Sequence, residues 1–170
     1  HPVAHSFPTR RSSDLPQIPP VNFIMAMLCF SANMKTQARQ YLEMVASQEP
    51  GFMGTYSMFG RLALVEGRLT DALLHFEKFL QLISKNQKTK KELYTQAYSG
   101  LATVAERRQN WLKAYKHLAQ WLKLEPSNGQ IYERMGRALF FLNKPEKAFS
   151  YFKKATKYDD RINVPEINMG

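Results

Sequence analysis

The stretch GQIYERMGRALFFLNKPEKAFSYFKKATKYDD, residues 129–160, sets the phase for the rest of the chain. Its Ala148 lies 34 residues after Ala114, and Ala72 lies 34 residues after Ala38. Between the two pairs the spacing is eight residues longer, which leaves the charged run Lys85-Asn-Gln-Lys-Thr-Lys-Lys-Glu92 outside the period. A fixed period of this length marks a stacked array of helical hairpins, in which no hairpin can bury its apolar face alone.

Other columns keep the same phase. Tyr56, Tyr98 and Tyr132 align, followed three residues on by Phe59, Leu101 and Met135, then at once by the small residues Gly60, Ala102 and Gly136, where two helices must approach closely. Leu42, Phe76, Leu118 and Phe152 each stand four residues after their alanine, on the same helix face. Pro50 and Pro126 close two of the units, as residues that cannot continue a helix. On these residues the chain resembles the tetratricopeptide repeat (TPR) family, from about Pro19 to Arg161. The resemblance implies an all-α, right-handed α-solenoid of antiparallel helix pairs. Its repeats would span 19–52, 53–86, 95–128 and 129–162, with the start of a fifth at 163–170, where Met169-Gly170 matches Met135-Gly136.

Residues 1–18 are set aside. The run from His5 to Leu15 reads as a translated sequencing adaptor, and a natural Pro/Ser-rich tail would equally be disordered. Val21 to Ala32 is almost wholly apolar and ends at Asn33, a residue tolerant of the left-handed conformation; Gly67 holds the same position one unit later. Leu69 to Ile83 has the strongest two-sided pattern, with Leu73, Phe76, Phe79, Leu80 and Ile83 on one face. The run 85–92 reads as a solvated loop or a short extension of its flanking helices, with a basic contact patch as the functional alternative. Pro145 and Glu146 open the last helix. Trp121 stands where the fourth unit has Ala155, and we expect Ala105 to offset its volume. Trp111 is expected to pack over an inter-helix groove.

The formal net charge is +10, of which residues 85–170 hold +9 from 17 basic and 8 acidic side chains. This balance favours an acidic partner but says little about fold. Cys29, the single cysteine, sits in the apolar run and is expected to pack as a small hydrophobe. The longest apolar run, Phe23 to Phe30, is far short of a bilayer span, so membrane insertion is not expected. The compartment stays open, with the cytoplasm favoured; any targeting signal belongs outside the fragment.

No catalytic constellation is present, and no cofactor or metal is implied. Gly54 and Gly60 lack the lysine-hydroxyl pair of a phosphate loop. His75 and His117 share a repeat phase and could approach one another, but further ligands at fixed geometry are wanting. The resemblance implies that the first helices of successive units line a concave groove. Residues in that phase are Phe23 and Met27, Ser57 and Arg61, Ser99 and Thr103, then Glu133 and Arg137, with Gln96, Gln130 and Arg134 adjoining. The groove would be apolar early and polar to basic late; Glu133 and Arg137 also read as an intrahelical ion pair. Phe23, Met27, Ser57 and Arg61 replace the lysine and asparagine with which chaperone-binding family members clamp a terminal carboxylate, so that activity is not expected. The reading is a non-catalytic scaffold that binds a peptide or helix of a protein partner, with end-to-end self-association through an uncapped last repeat. The alternatives are a basic nucleic-acid-binding surface and the recognition arm of a larger enzyme or transport assembly.

Overall fold

The computed structural model describes residues 19–86 and 90–159. Within them the chain forms eight helices and no strand: α1 (Val21–Ser31), α2 (Lys35–Gln48), α3 (Met53–Val65), α4 (Leu69–Lys85), α5 (Lys91–Arg107), α6 (Trp111–Leu124), α7 (Gly129–Phe141) and α8 (Pro145–Tyr158). The expectations placed on residues 1–18, on 163–170 and on association through a fifth repeat lie outside the described residues.

Each hairpin turns on one left-handed residue. Asn33, Gly67, Gln109 and Asn143 have φ of 60°, 74°, 56° and 57° and occupy one repeat column. In every case the amide of the following residue bonds back across the helix end, as from Met34 to the Cys29 carbonyl and from Lys144 to the Leu139 carbonyl. This is the bond pattern with which helices end on a left-handed residue. Gln109 alone is neither Gly nor Asn, and a β-carbon is costly in that conformation. Gln109→Gly is therefore expected to stabilise the fold by up to about 1 kcal/mol, read as a higher urea midpoint. An unchanged or lower midpoint would show that the glutamine side chain contributes more than its backbone costs.

Packing within each unit follows a paired choice. Units two and four set a glycine against a phenylalanine: a β-carbon on Gly60 would lie 2.9 Å from the Phe76 ring, and one on Gly136 would lie 2.8 Å from Phe152. Units one and three place Ala26 and Leu42, or Ala102 and Leu118, in the same two columns, all buried. A larger ring is matched by a smaller facing residue, as constant core volume requires. Phe76 also reaches the next unit, where a β-carbon on Gly100 would come within 2.5 Å of its ring. Trp121 packs against the cluster of Ala102, Leu118, Ile131 and Met135; Ala105, expected to offset its volume, is buried but does not belong to that cluster. Trp111 stacks on Phe141 at 4.3 Å, joining the start of α6 to the end of α7.

Junctions between units are tied by the tyrosine column. Tyr56 donates to the Pro50 carbonyl and Tyr132 to the Pro126 carbonyl, each at 3.1 Å. At the middle junction the insertion replaces this tie with helix. The 17-residue α4 is three residues longer than α2, and the 17-residue α5 is four longer than α3. Ile83, Phe79 and Ala97 close the extended pair, with Leu93 and Tyr94 packed against them. The first helices touch one another, α1 with α3 and α3 with α5. They therefore line the inner curve, and α2, α4, α6 and α8 form the outer layer.

Candidate functional site

Residues four apart share a helix face, so the first helices present Phe23 and Met27, Ser57 and Arg61, and Ser99 and Thr103 side by side along the inner curve. Two adjoining basins run over them. The first, of about 740 Å³, is lined by Phe23, Met27, Phe52, Met53, Met58 and Leu93 on its apolar side and by Ser57, Arg61 and Gln96 on its polar side. The second, of about 260 Å³, continues past Ser57, Arg61 and Gln96 to Ser99 and Thr103. Seven of the ten expected groove residues thus come together in one trough. Phe52, Met53, Met58 and Leu93 were not anticipated. The extended ends of α4 and α5 supply a wall through Asn86, Lys90, Glu92 and Leu93, so the eight-residue insertion shapes the groove.

The polar floor is internally ordered. Ser57, only 5% exposed, donates to Gln96 Oε1 at 3.1 Å and joins α3 to α5. Ser99 and Thr103 donate to the carbonyls of Gln96 and Ser99 in their own helix. Arg61 stands between the basins, exposed, with its guanidinium 5.0 Å from the Phe30 ring centre and Nη1 3.6 Å from Met58 Sδ. Among the described residues no carboxylate pairs with it. Its positive charge faces the trough, held by an aromatic face and a thioether.

Further along the curve the cations are spent. Arg134 binds Glu106 through Nε at 2.9 Å and Nη2 at 2.8 Å, donates to Thr103 Oγ1 at 3.0 Å and lies 5.3 Å from the Trp121 ring. Arg137 and Glu133 form the expected i,i+4 ion pair at 3.7 Å. Burial pushes the Glu133 carboxyl up from its ordinary value, against the pull of Arg137. Gln130 is exposed at the start of α7. Where the sequence suggests a polar to basic lining, Arg134 and Arg137 are therefore each paired with a glutamate. Neither Gln130, Arg134 nor Arg137 lines the two basins.

His75 stacks on Phe59 at 5.0 Å, in the field of Asp71, Arg68 and Arg39, while His117 feels Glu77 and Lys113. No group of three His, Cys, Asp or Glu among the described residues is placed to hold a metal. Burial holds both imidazoles below 6.5, with Asp71 and Glu77 respectively pulling the other way. The fold thus favours the neutral rings, so on acidification the unfolded chain takes up protons first. Stability is expected to fall as pH drops through about 6.5. The pH slope of the melting temperature should be shallower in His75→Gln/His117→Gln; equal slopes would overturn the assignment.

No helix among the described residues is long and apolar enough to cross a membrane. Residues 129–161 match the sequence model of the tetratricopeptide repeat. Among solved structures, the chain superposes on MamA (41–end) from Desulfovibrio magneticus RS-1 with a TM-score of 0.72 at 19% identity, over 82% of this chain and 75% of that one. It matches the crystal structure of the APC/C hetero-tetramer Cut9–Hcn1 with a TM-score of 0.74 at 16% identity, over 83% of this chain but 27% of that one. For pilF of Pseudomonas aeruginosa the values are 0.67 and 16%, over 83% and 61%. These likenesses share one fold. Residues 129–161 thus match one tetratricopeptide repeat, and the described helices form an all-α helical-repeat solenoid like those structures.

Proposed function

We infer that the chain is a non-catalytic scaffold that holds an extended or helical segment of a protein partner along its first helices. The observation that carries this reading is the continuous trough over α1, α3 and α5. Its apolar end is built from Phe23, Met27, Met58 and Leu93, and Arg61, which no carboxylate pairs among the described residues, stands at its middle. Such a surface fits a segment with an apolar anchor and an acidic residue about one helical turn away. Ser57, Gln96, Ser99 and Thr103 offer polar contacts beyond the anchor, and Gln130, Arg134 and Arg137 would meet only a longer segment.

The test is selection of peptides from a displayed random library on the intact chain. Peptides with an apolar anchor and a nearby acid should emerge. Their affinity should fall at least about tenfold on Met27→Glu and severalfold on Arg61→Ala. Selected peptides that bind both variants as well as the parent would refute the groove. Tight, steeply salt-dependent binding of a labelled oligonucleotide, unaffected by these substitutions, would replace this reading with the nucleic-acid one.

A further inference from the structure

The outer layer changes character halfway along the array. In α6 its outward positions are Lys113, Lys116, Gln120 and Lys123, and 34 residues on, in α8, they are Lys147, Ser150, Lys154 and Lys157. In α2 the same columns hold Gln37, Gln40, Met44 and Ser47, and in α4 Asp71 offsets Lys78. The six lysines of α6 and α8 are all exposed, and none forms an ion pair among the described residues. Their helices supply little counter-charge, since α6 has no carboxylate and α8 only Glu146. Like charges gathered on one face repel each other, and an anionic partner relieves that repulsion.

An apolar edge borders this face at the start of α6. Leu112 stands four residues before Lys116, on the same side of the helix, and is 53% exposed. Phe141, 55% exposed, stacks on Trp111 at 4.3 Å. Both features persist where the array continues on either side. Leu112, Lys113, Lys116 and Lys123 belong to α6, which packs between α5 and α7. Val65, two units before Phe141 in the same column, is 51% exposed although α4 packs on α5 of the next unit.

We propose that the outer face of α6 and α8 docks peripherally on an anionic lipid surface, its lysines over the headgroups and Leu112 and Phe141 at the boundary between headgroups and acyl chains. The negative potential of such a surface attracts clustered lysines, and exposed Leu and Phe side chains gain by leaving water there. Lipids move laterally, so they can gather under lysines carried on two helices without a preformed pocket. A nucleic acid would match the lysines with phosphates but offer nothing apolar to Leu112. The Trp111 and Phe141 rings stack on each other and so lack the free faces on which bases would stack. Docked by its outer layer, the chain keeps the trough over α1, α3 and α5 open to a partner.

The test is co-sedimentation of the intact chain with vesicles of phosphatidylcholine, alone or with about 30 mol% phosphatidylserine. The chain should pellet with the anionic vesicles only, and less so as salt is raised. Lys113→Glu/Lys116→Glu/Lys123→Glu should weaken binding at least about tenfold. Leu112→Ser should weaken it severalfold at unchanged charge. All these positions are exposed, so the helical signal and melting temperature should hold. Lys35→Glu/Lys78→Glu/Lys85→Glu changes the net charge equally on the earlier outer helices and should weaken binding far less. Absence of binding to the anionic vesicles, equal binding to both vesicle types, an unchanged affinity in Leu112→Ser or equal losses from the two triple variants would overturn the proposal. So would tighter binding of a labelled oligonucleotide or of polyglutamate than of the vesicles, lost in the first triple variant and unmoved by Leu112→Ser, because the face would then belong to another acidic partner.

Discussion

Phe76→Ala is expected to lower the unfolding free energy by about 3–5 kcal/mol, a large part of what holds a small domain together. The ring is 1% exposed and fills the space between Gly60 of its own unit and Gly100 of the next. It packs with Ala63, Ala72, Leu101 and Val104, so one truncation opens both the hairpin and the junction. The glycine flanks supply no side chain that could collapse into the void, which puts the loss at the upper end of the usual range. Urea unfolding monitored by circular dichroism reads it directly. A loss under about 1 kcal/mol would mean that the ring is not wedged as described.

Gly100→Ala should also destabilise, although alanine is the better helix former by about 1 kcal/mol. The new β-carbon would lie 2.5 Å from the Phe76 ring, which Gly60 confines from the other side at 2.9 Å. Overpacking of this kind costs about 1–3 kcal/mol beyond the propensity gain. Gly136→Ala should cost less, because among the described residues only one glycine walls the Phe152 ring. Coupling supplies the control. Gly60→Ala/Phe76→Leu converts unit two to the Ala/Leu pairing of units one and three, so its loss should be smaller than the two single losses added. A Gly100→Ala chain as stable as the parent would contradict the two-sided contact.

Much of this fold could be read from the sequence because the repeat multiplies weak local signals. The alanine column, the glycine or alanine four residues after each tyrosine, and the left-handed column begun by Asn33 and Gly67 all recur at one spacing. The helix bounds near Asn33 and Pro145 followed from local chemistry alone. What escaped the reading depends on which partners the stacking brings together. The Gly100–Phe76 contact crosses the insertion that breaks the period, so no column announces it. Arg134 is bound by Glu106, 28 residues earlier, which composition counts as a free basic charge. Conversely, Arg61 owes its role in the trough to the absence of any such partner among the described residues. The run 85–92 reads from the sequence as a solvated loop or a short extension of its flanking helices, and α4 and α5 are the longer for it, but the sequence does not say which groove they would border. Longer α4 and α5 raise a wall beside Phe23 and Met58.

The most direct test of the scaffold reading is site-specific photo-crosslinking of a selected peptide. A benzophenone side chain is placed either at Ser99, inside the trough on α5, or at Lys116, exposed on the outer helix α6. A partner segment held along the first helices should give an adduct from position 99 and none from position 116. An adduct from position 116 alone would contradict the account, moving recognition to the outer helices and leaving the trough without a role.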